Sequence, residues 1–470
     1  MVFSSAIFLL CFLPIVILVY YNPLIKGRKF KNVFLVLTSL GFYAWGEPIF
    51  VLLMLLSILV NWKLGQWLER KNYSKKILWV GVIYNLLLLF GFKYLGFVCH
   101  NLGILFQKDL EVNIALPIGI SFFTFQMMSY LFDIYYGKAK VQNSVINVGL
   151  YVSFFPQLIA GPIVRYETIA EEIENRKENW NEITEGICRF IYGLSKKVIL
   201  SNTLARAADT CFAEVEQMAA ASLWIGAIAY TLQIYFDFSG YSDMAIGLGK
   251  MFGFHFPENF NYPYISKSVT EFWRRWHITL STWFRDYLYI PLGGNRVSKG
   301  RWIFNLFMVW LCTGIWHGAN WTFIVWGLAY FVVLILEKLF LKNEKVKGNE
   351  EGILKKIVEH GYTMLIVIVL WVIFRADSMK QAMMYIGNMF AVFSDNWWDS
   401  QTTELLANYG IGIIAAAFAA TPLYKVVIER VKIHETIKEV AYCIWTILLF
   451  VVSLCLIVNN SYNPFIYFNF

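Results

Sequence analysis

The sequence predicts an all-α integral membrane protein that crosses the bilayer many times, and three observations point that way. Of 470 residues, 58% are hydrophobic and only 15% carry charge, against roughly half apolar and about a quarter charged in an average soluble domain. The apolar residues gather in long charge-free runs, among them residues 1–25, 77–92 and 440–470, and about 20 such residues suffice for a helix to span the hydrocarbon core. Lysines and arginines punctuate these runs in short clusters, the pattern of loops held on the cytoplasmic side.

The elements follow in order. Residues 1–25 lack the basic leader and small-residue cleavage site of a signal peptide, and Asn22-Pro23 leads into Lys26, Arg28, Lys29 and Lys31. We read a retained first span with a cytoplasmic flank, which places the N-terminus outside. Residues 33–61 are interrupted by Gly46-Glu47-Pro48, and basic residues return at Lys63, Arg70, Lys71, Lys75 and Lys76; two spans joined by a tight external turn account for both. Residues 77–98 then cross outward, and 114–136 return to Lys138 and Lys140. Residues 145–164 are apolar but contain Pro156, Gly161 and Pro162. They are expected to be re-entrant or kinked, because broken backbone at membrane depth survives only where protein or a water-filled cavity surrounds it.

Further spans lie within 187–253. Residues 264–301 interleave Phe272, Trp273, Trp276, Trp283 and Phe284 with Lys267, Arg274, Arg275, Arg285, Arg296, Lys299 and Arg301, as in a helix lying in the interface or plugging a cytoplasmic entrance. Spans follow at 302–316, 321–336, 361–374, 405–423 and 440–458. The lysine-rich loop 338–356 and the basic loop 425–438 belong inside, so the tail 459–470 is expected outside. Roughly ten to twelve spans or half-spans are expected, in a single membrane domain covering 1–470.

Several function classes drop out. The net charge of +8 is that of positive cytoplasmic loops, so no nucleic-acid partner is expected. Seven scattered cysteines without a C-x-x-C pair give neither a disulfide framework nor a metal site. Gly247-Leu-Gly-Lys-Met-Phe-Gly253 has the wrong spacing for a dinucleotide loop, and there is no Walker loop or Gly-x-Ser-x-Gly elbow.

Of six histidines, two sit in unusual company. His277 lies in Phe272-Trp-Arg-Arg-Trp-His-Ile-Thr-Leu-Ser281, and His317 in Gly314-Ile-Trp-His-Gly-Ala-Asn-Trp321. An ionisable side chain among apolar spans is costly and marks a candidate site. His317 alone reads either as a neutral histidine bonded between helices or as a base. A desolvated imidazole stays neutral, ready to take a proton from a hydroxyl. Gly314 and Gly318 would admit a ligand or a backbone at close range. His277 alone reads as an interfacial residue among tryptophans. Arg274 and Arg275 suit either cytoplasmic topology or the phosphates of a nucleotide-containing donor, with Trp276 beside them.

Together, the motifs around His277 and His317 resemble the membrane-bound O-acyltransferase superfamily, and within it the bacterial alginate and peptidoglycan O-acetyltransferase branch. Pro117-Ile-Gly-Ile-Ser-Phe-Phe-Thr-Phe125, Gln157-Leu-Ile-Ala-Gly-Pro-Ile163, Tyr235-Phe-Asp-Phe-Ser-Gly-Tyr-Ser-Asp243 and Arg285-Asp-Tyr-Leu-Tyr-Ile-Pro-Leu-Gly-Gly-Asn295 agree, so the likeness covers nearly the whole chain. The resemblance implies a multi-pass helical bundle around a central tunnel, with re-entrant and interfacial helices. His317 would be the catalytic base inside that tunnel, and His277 the second polar position on its cytoplasmic side. The implied donor is acetyl-CoA, met by Arg274, Arg275 and Trp276, with no permanently bound cofactor and no metal. The implied acceptor is a cell-surface or secreted polysaccharide outside the cell membrane, reached through a separate extracytoplasmic acetyltransferase.

Asp237 and Asp243 belong to a matching motif without an assigned role, and pairing with a buried arginine or capping a helix suits them. The tail Asn463-Pro-Phe-Ile-Tyr-Phe-Asn-Phe470 is similar to Phe-x-Tyr-Phe-x-Phe endings on small partner proteins of the teichoic acid D-alanylation system. That likeness implies Tyr467 as an acyl acceptor; the plain alternative is an aromatic interfacial anchor. Two rivals stay open. One is a D-alanyl, lipid or protein acyltransferase of the same superfamily. The other is a proton-coupled transporter or flippase with His317 as relay, against which stands the absence of paired broken helices in repeated halves.

Overall fold

The structure, a computed structural model, describes residues 1–340, 352–391, 396–430, 434–459, 462–464 and 466. Every regular element among them is helical, and six helices are long and apolar enough to cross a membrane. The protein is therefore an all-α, multi-pass membrane protein. Its chain forms two compact units, one of Met1–Leu194, Tyr241–Glu258 and Ile457–Asn459, the other of Ser195–Gly240, Asn259–Leu456 and Asn460–Phe470.

In the first unit, α1 (Arg28–Ala44) and α2 (Phe50–Arg70) are separated at the expected Gly46-Glu47-Pro48 break, and α3 (Lys75–Phe106) follows. Facing amides tie α2 to α3: Asn85 donates to Asn61 at 2.7 Å and Asn61 donates back at 3.2 Å, which satisfies polar groups where lipid offers no partner. The span expected at 114–136 is shorter. Helix α4 (Ile120–Tyr135) begins only after Pro117 and Gly119, whose φ of +76° stops helix propagation toward the N-terminus.

The expected break in 145–164 falls at Phe154 (ψ 113°), between α5 (Val145–Ser153) and α6 (Phe155–Leu158). Ser39 Oγ accepts the Phe155 N–H at 3.1 Å, and the Tyr151 hydroxyl bridges the carbonyls of Gln126 and Val164. Protein thus supplies the partners that broken backbone at this depth demands. Two of the four cations flanking the first span share one carboxylate: Glu178 takes Arg28 at 2.7 Å and Lys31 at 3.4 Å. Burial alone would raise the Glu178 carboxyl, yet hydrogen bonds from Arg28 and Tyr20 and the charges of Arg28 and Lys31 bring it down to about 2.

Helix α7 (Ala220–Met251) opens in the second unit and ends in the first. The second unit continues with α8 (Val269–Arg275), α9 (Ile278–Phe284), α10 (Lys299–His317), α11 (Trp321–Phe340), α12 (Ile353–Arg375) and α13 (Ser400–Ala419), and most of α14 (Glu435–Asn459). Helices α10 and α11 meet backbone to backbone. A Cβ on Gly327 would lie 2.6 Å from the Trp310 carbonyl oxygen, and one on Gly314 would lie 2.6 Å from that of Phe323. Small residues let membrane helices approach this closely, so the space at Gly314 admits a neighbouring backbone rather than a ligand.

The aromatic and basic segment, expected as a helix lying in the interface or plugging a cytoplasmic entrance, is not continuous. It is two short helices, α8 and α9, broken at His277, and its aromatic rings face inward. Trp273 meets Trp310, Trp326 and Tyr330, while Trp276 lies 4.9 Å from the Trp371 ring. The start of α8 is fixed by Glu337, a buried carboxylate of α11 that accepts from the backbone of Val269 (2.5 Å) and Thr270 (2.8 Å). A negative charge on the free N–H groups of a helix start is favourable.

Candidate active site

His317 is the last residue of α10; the chain leaves the helix at Gly318 in extended geometry. The ring is only 7% exposed. It stands nearly edge-on to three aromatic rings, Trp316 at 5.0 Å and Trp326 and Phe374 at 5.1 Å each. His317 shares a cavity with Ile234, Asp237, Phe238, Trp276, Trp371, Phe374 and Ile466, and that cavity measures about 10 Å³, room for about one water molecule.

His277 caps α9 from the left-handed region, at φ 44° and ψ 53°, a conformation costly for a side chain of this size and concentrated at functional sites. Asn259 holds it there. Its backbone carbonyl accepts the Ile278 N–H at 3.0 Å. Its side-chain Oδ1 takes His277 Nδ1 at 3.0 Å, the Thr279 hydroxyl at 2.8 Å and the Thr279 N–H at 3.3 Å. The Thr279 N–H can only donate, which identifies the facing atom as the amide oxygen, so His277 Nδ1 carries the proton. Burial, with the nearby His317 ring second, pushes His277 well below the ordinary histidine value. The Trp316 indole touches both imidazoles, 6.0 Å from one and 5.0 Å from the other.

Asn259 had no sequence signal, because it reaches His277 across 18 positions through a loop. We expect Asn259→Ala to lower turnover about tenfold to a hundredfold, the usual cost of losing a partner that orients a histidine. The protein should stay folded, and activity compared at an unchanged melting temperature measures the loss.

The structure separates the three residues proposed for the donor. Trp276 lines the His317 cavity. Arg275 is bound to its own helix, 2.9 Å from Glu271, and donates to the Asn261 carbonyl at 3.1 Å. Arg274 is exposed. Tyr467 lies outside the described residues, but its neighbour Ile466 lines the cavity and donates its N–H to Asp237 at 3.0 Å. Asp243 pairs with Arg189 at 2.9 Å, as expected. Asp237 pairs instead with a lysine, Lys197, at 2.6 Å. Two other histidines have structural partners, His255 on Glu172 at 2.6 Å and His360 on the Ser266 carbonyl at 3.0 Å.

Comparison with known proteins adds the family. Residues 138–345 match the model of the membrane-bound O-acyltransferase family. The chain is 40% identical to the probable alginate O-acetylase of Pseudomonas putida over the full length of both. It is 32% identical to the peptidoglycan O-acetyltransferase of Helicobacter pylori, covering 100% of this chain and 98% of that one. The teichoic acid D-alanyltransferase of Bacillus subtilis is 29% identical over 50% of this chain and 62% of its own. The buried histidine pair thus belongs to an acyltransferase, and the chain is a member of the membrane-bound O-acyltransferase family, in the branch of the alginate and peptidoglycan O-acetyltransferases.

Proposed function

We propose that the enzyme takes an acetyl group from cytoplasmic acetyl-CoA and passes it across the cell membrane for O-acetylation of a surface or secreted polysaccharide. The observation that carries this reading is the meeting of His317, Trp276 and the tail residue Ile466 around one cavity. The full-length likeness to enzymes named for alginate and peptidoglycan supports a polysaccharide acceptor. Both termini lie outside and the lysine-rich loops inside, in keeping with the positive-inside rule.

In this reading His317 accepts the proton of a hydroxyl as its oxygen attacks the thioester carbonyl. The new C–O bond forms, the C–S bond breaks, and the sulfur leaves as CoA thiol with the proton returned by the imidazolium. The thioester is already activated, so positioning and exclusion of water are the remaining tasks. The hydroxyl is that of Tyr467, which follows Ile466 in the sequence. The tyrosyl ester then gives its acetyl group to a separate extracytoplasmic acetyltransferase. His277 and Trp276 face the donor, and Arg274 and Arg275 attract its phosphates. No permanently bound cofactor takes part.

The test is a single-turnover reaction of the purified full-length chain in proteoliposomes with acetyl-CoA. A stoichiometric release of CoA thiol is expected, together with an acetylated tail peptide seen by mass spectrometry and absent from Tyr467→Phe. Failure to consume acetyl-CoA would overturn the donor assignment. CoA release without an acetylated tail would overturn the relay.

A further inference from the structure

The end of the chain is bound to the second unit at nearly every described position. The Tyr462 hydroxyl donates to Asp209 at 2.5 Å, and Asp209 in turn holds Arg375 at 2.8 Å. Asn202 donates to the Asn463 side chain at 3.3 Å. Lys197 donates to the Pro464 carbonyl, and Asp237 accepts the Ile466 N–H at 3.0 Å. The last two contacts come from one ion pair, Lys197–Asp237, 2.6 Å apart with side chains 2% and 1% exposed.

Such a pair is a poor way to stabilise a fold, since apolar residues of equal volume generally do as well or better. What it can do is direct a backbone. Lys197 has donors to spare beyond the one facing Asp237, and Asp237 has a second oxygen. Each turns its remaining capacity to the tail, one to a carbonyl and one to an N–H two residues further on. A salt bridge with both outer valences on one strand of chain fixes that strand in register and direction. The register it fixes puts Ile466 into the cavity of His317.

We propose that Lys197 and Asp237 are positioning residues that latch the C-terminal tail into the catalytic cavity, setting which residue is presented to His317. The inference rests on the reading above in which Tyr467 carries the acyl group. Neither residue exchanges a proton or a bond with substrate; the pair acts through the tail.

The experiment compares full-length wild type, Lys197→Met/Asp237→Leu and His317→Ala in detergent micelles. The double variant removes both charges together, so no unpaired charge is left buried. Carboxypeptidase digestion followed by intact mass reports tail release, and acetyl-CoA titration of the single-turnover CoA release reports its limiting rate constant, here kcat, and its half-saturating concentration, here KM. The double variant is expected to melt near wild type yet lose residue 462 about tenfold faster, because proteolysis follows the open population. Its kcat should fall about a hundredfold at unchanged acetyl-CoA KM, as when a reacting group is misplaced by an ångström. His317→Ala should keep the wild-type protection. Unchanged protection in the double variant overturns the latch, and so does lost protection with unchanged kcat. CoA release that survives His317→Ala overturns the catalytic reading instead, and the latch then stands or falls on protection alone.

Discussion

His317→Ala is expected to lower acetyl transfer about a thousandfold, within the range that general-base catalysis contributes. The ring sits in a cavity closed by Trp276, Trp371, Phe374 and Ile466, so bulk water cannot easily replace it as proton acceptor. Its aromatic neighbours hold one another in place: Trp326 lies 5.9 Å from Trp371 and 5.0 Å from Phe374. The loss should therefore be chemical rather than structural. His317→Gln, which keeps most of the volume, should be equally inactive. The measurement is surface-polysaccharide O-acetyl content in a deletion strain re-expressing each variant at matched membrane levels. Acetylation restored to wild type by His317→Ala would remove the base assignment and favour a transporter or scaffold. Loss in His317→Ala with full activity in Tyr467→Phe would mean direct transfer, leaving the tail as an anchor.

The second large effect is on folding. Gly327→Val is expected to destabilise the second unit by at least about 3 kcal/mol, the scale of overpacking at a site that cannot relax. The first carbon added would meet the Trp310 carbonyl at 2.6 Å and the Gly314 Cα at 3.1 Å. Both are backbone atoms of a facing helix, so α10 and α11 must part. Because α10 ends on His317 three residues beyond Gly314, activity should fall with stability. Gly361→Val is the control: it lies in a spanning helix where an added Cβ meets nothing within 4 Å, and its effect should stay within about 1 kcal/mol. Fluorescence-detected melting of the purified proteins decides it, and equal melting of Gly327→Val and wild type would sink the close-packing account.

Much of this architecture was legible because the membrane imposes a simple code of length and charge. The break at Gly46-Glu47-Pro48 and the kink within 145–164 both stand where proline and glycine announce them. The start of α4 was misread by six residues' worth of apolar sequence, since hydropathy does not see that Gly119 has turned to positive φ. In the 264–301 segment the break into two helices was not legible. Aromatic and basic residues alternate as on an interfacial helix, but the strained backbone at His277 folds the rings inward. That His317 and His277 stand apart from the other histidines was legible from their motifs. Asn259, Glu337 and Lys197 were not, because each acts on a partner from another element, Glu337 across 68 positions. Asp237 was noticed but expected on a buried arginine or a helix start, since nothing in a sequence tells a buried carboxylate which cation will face it.

A membrane that stores energy as an ion gradient cannot tolerate a pore. The space beside His317 is about 10 Å³, lined by aromatic rings and isoleucines with Asp237 and His317 as its polar members, so it holds about one water molecule rather than a file of them. A space of that size has no room for a freely diffusing acetate with its hydration shell, so an acetyl group that crosses here would do so bonded to protein, one at a time.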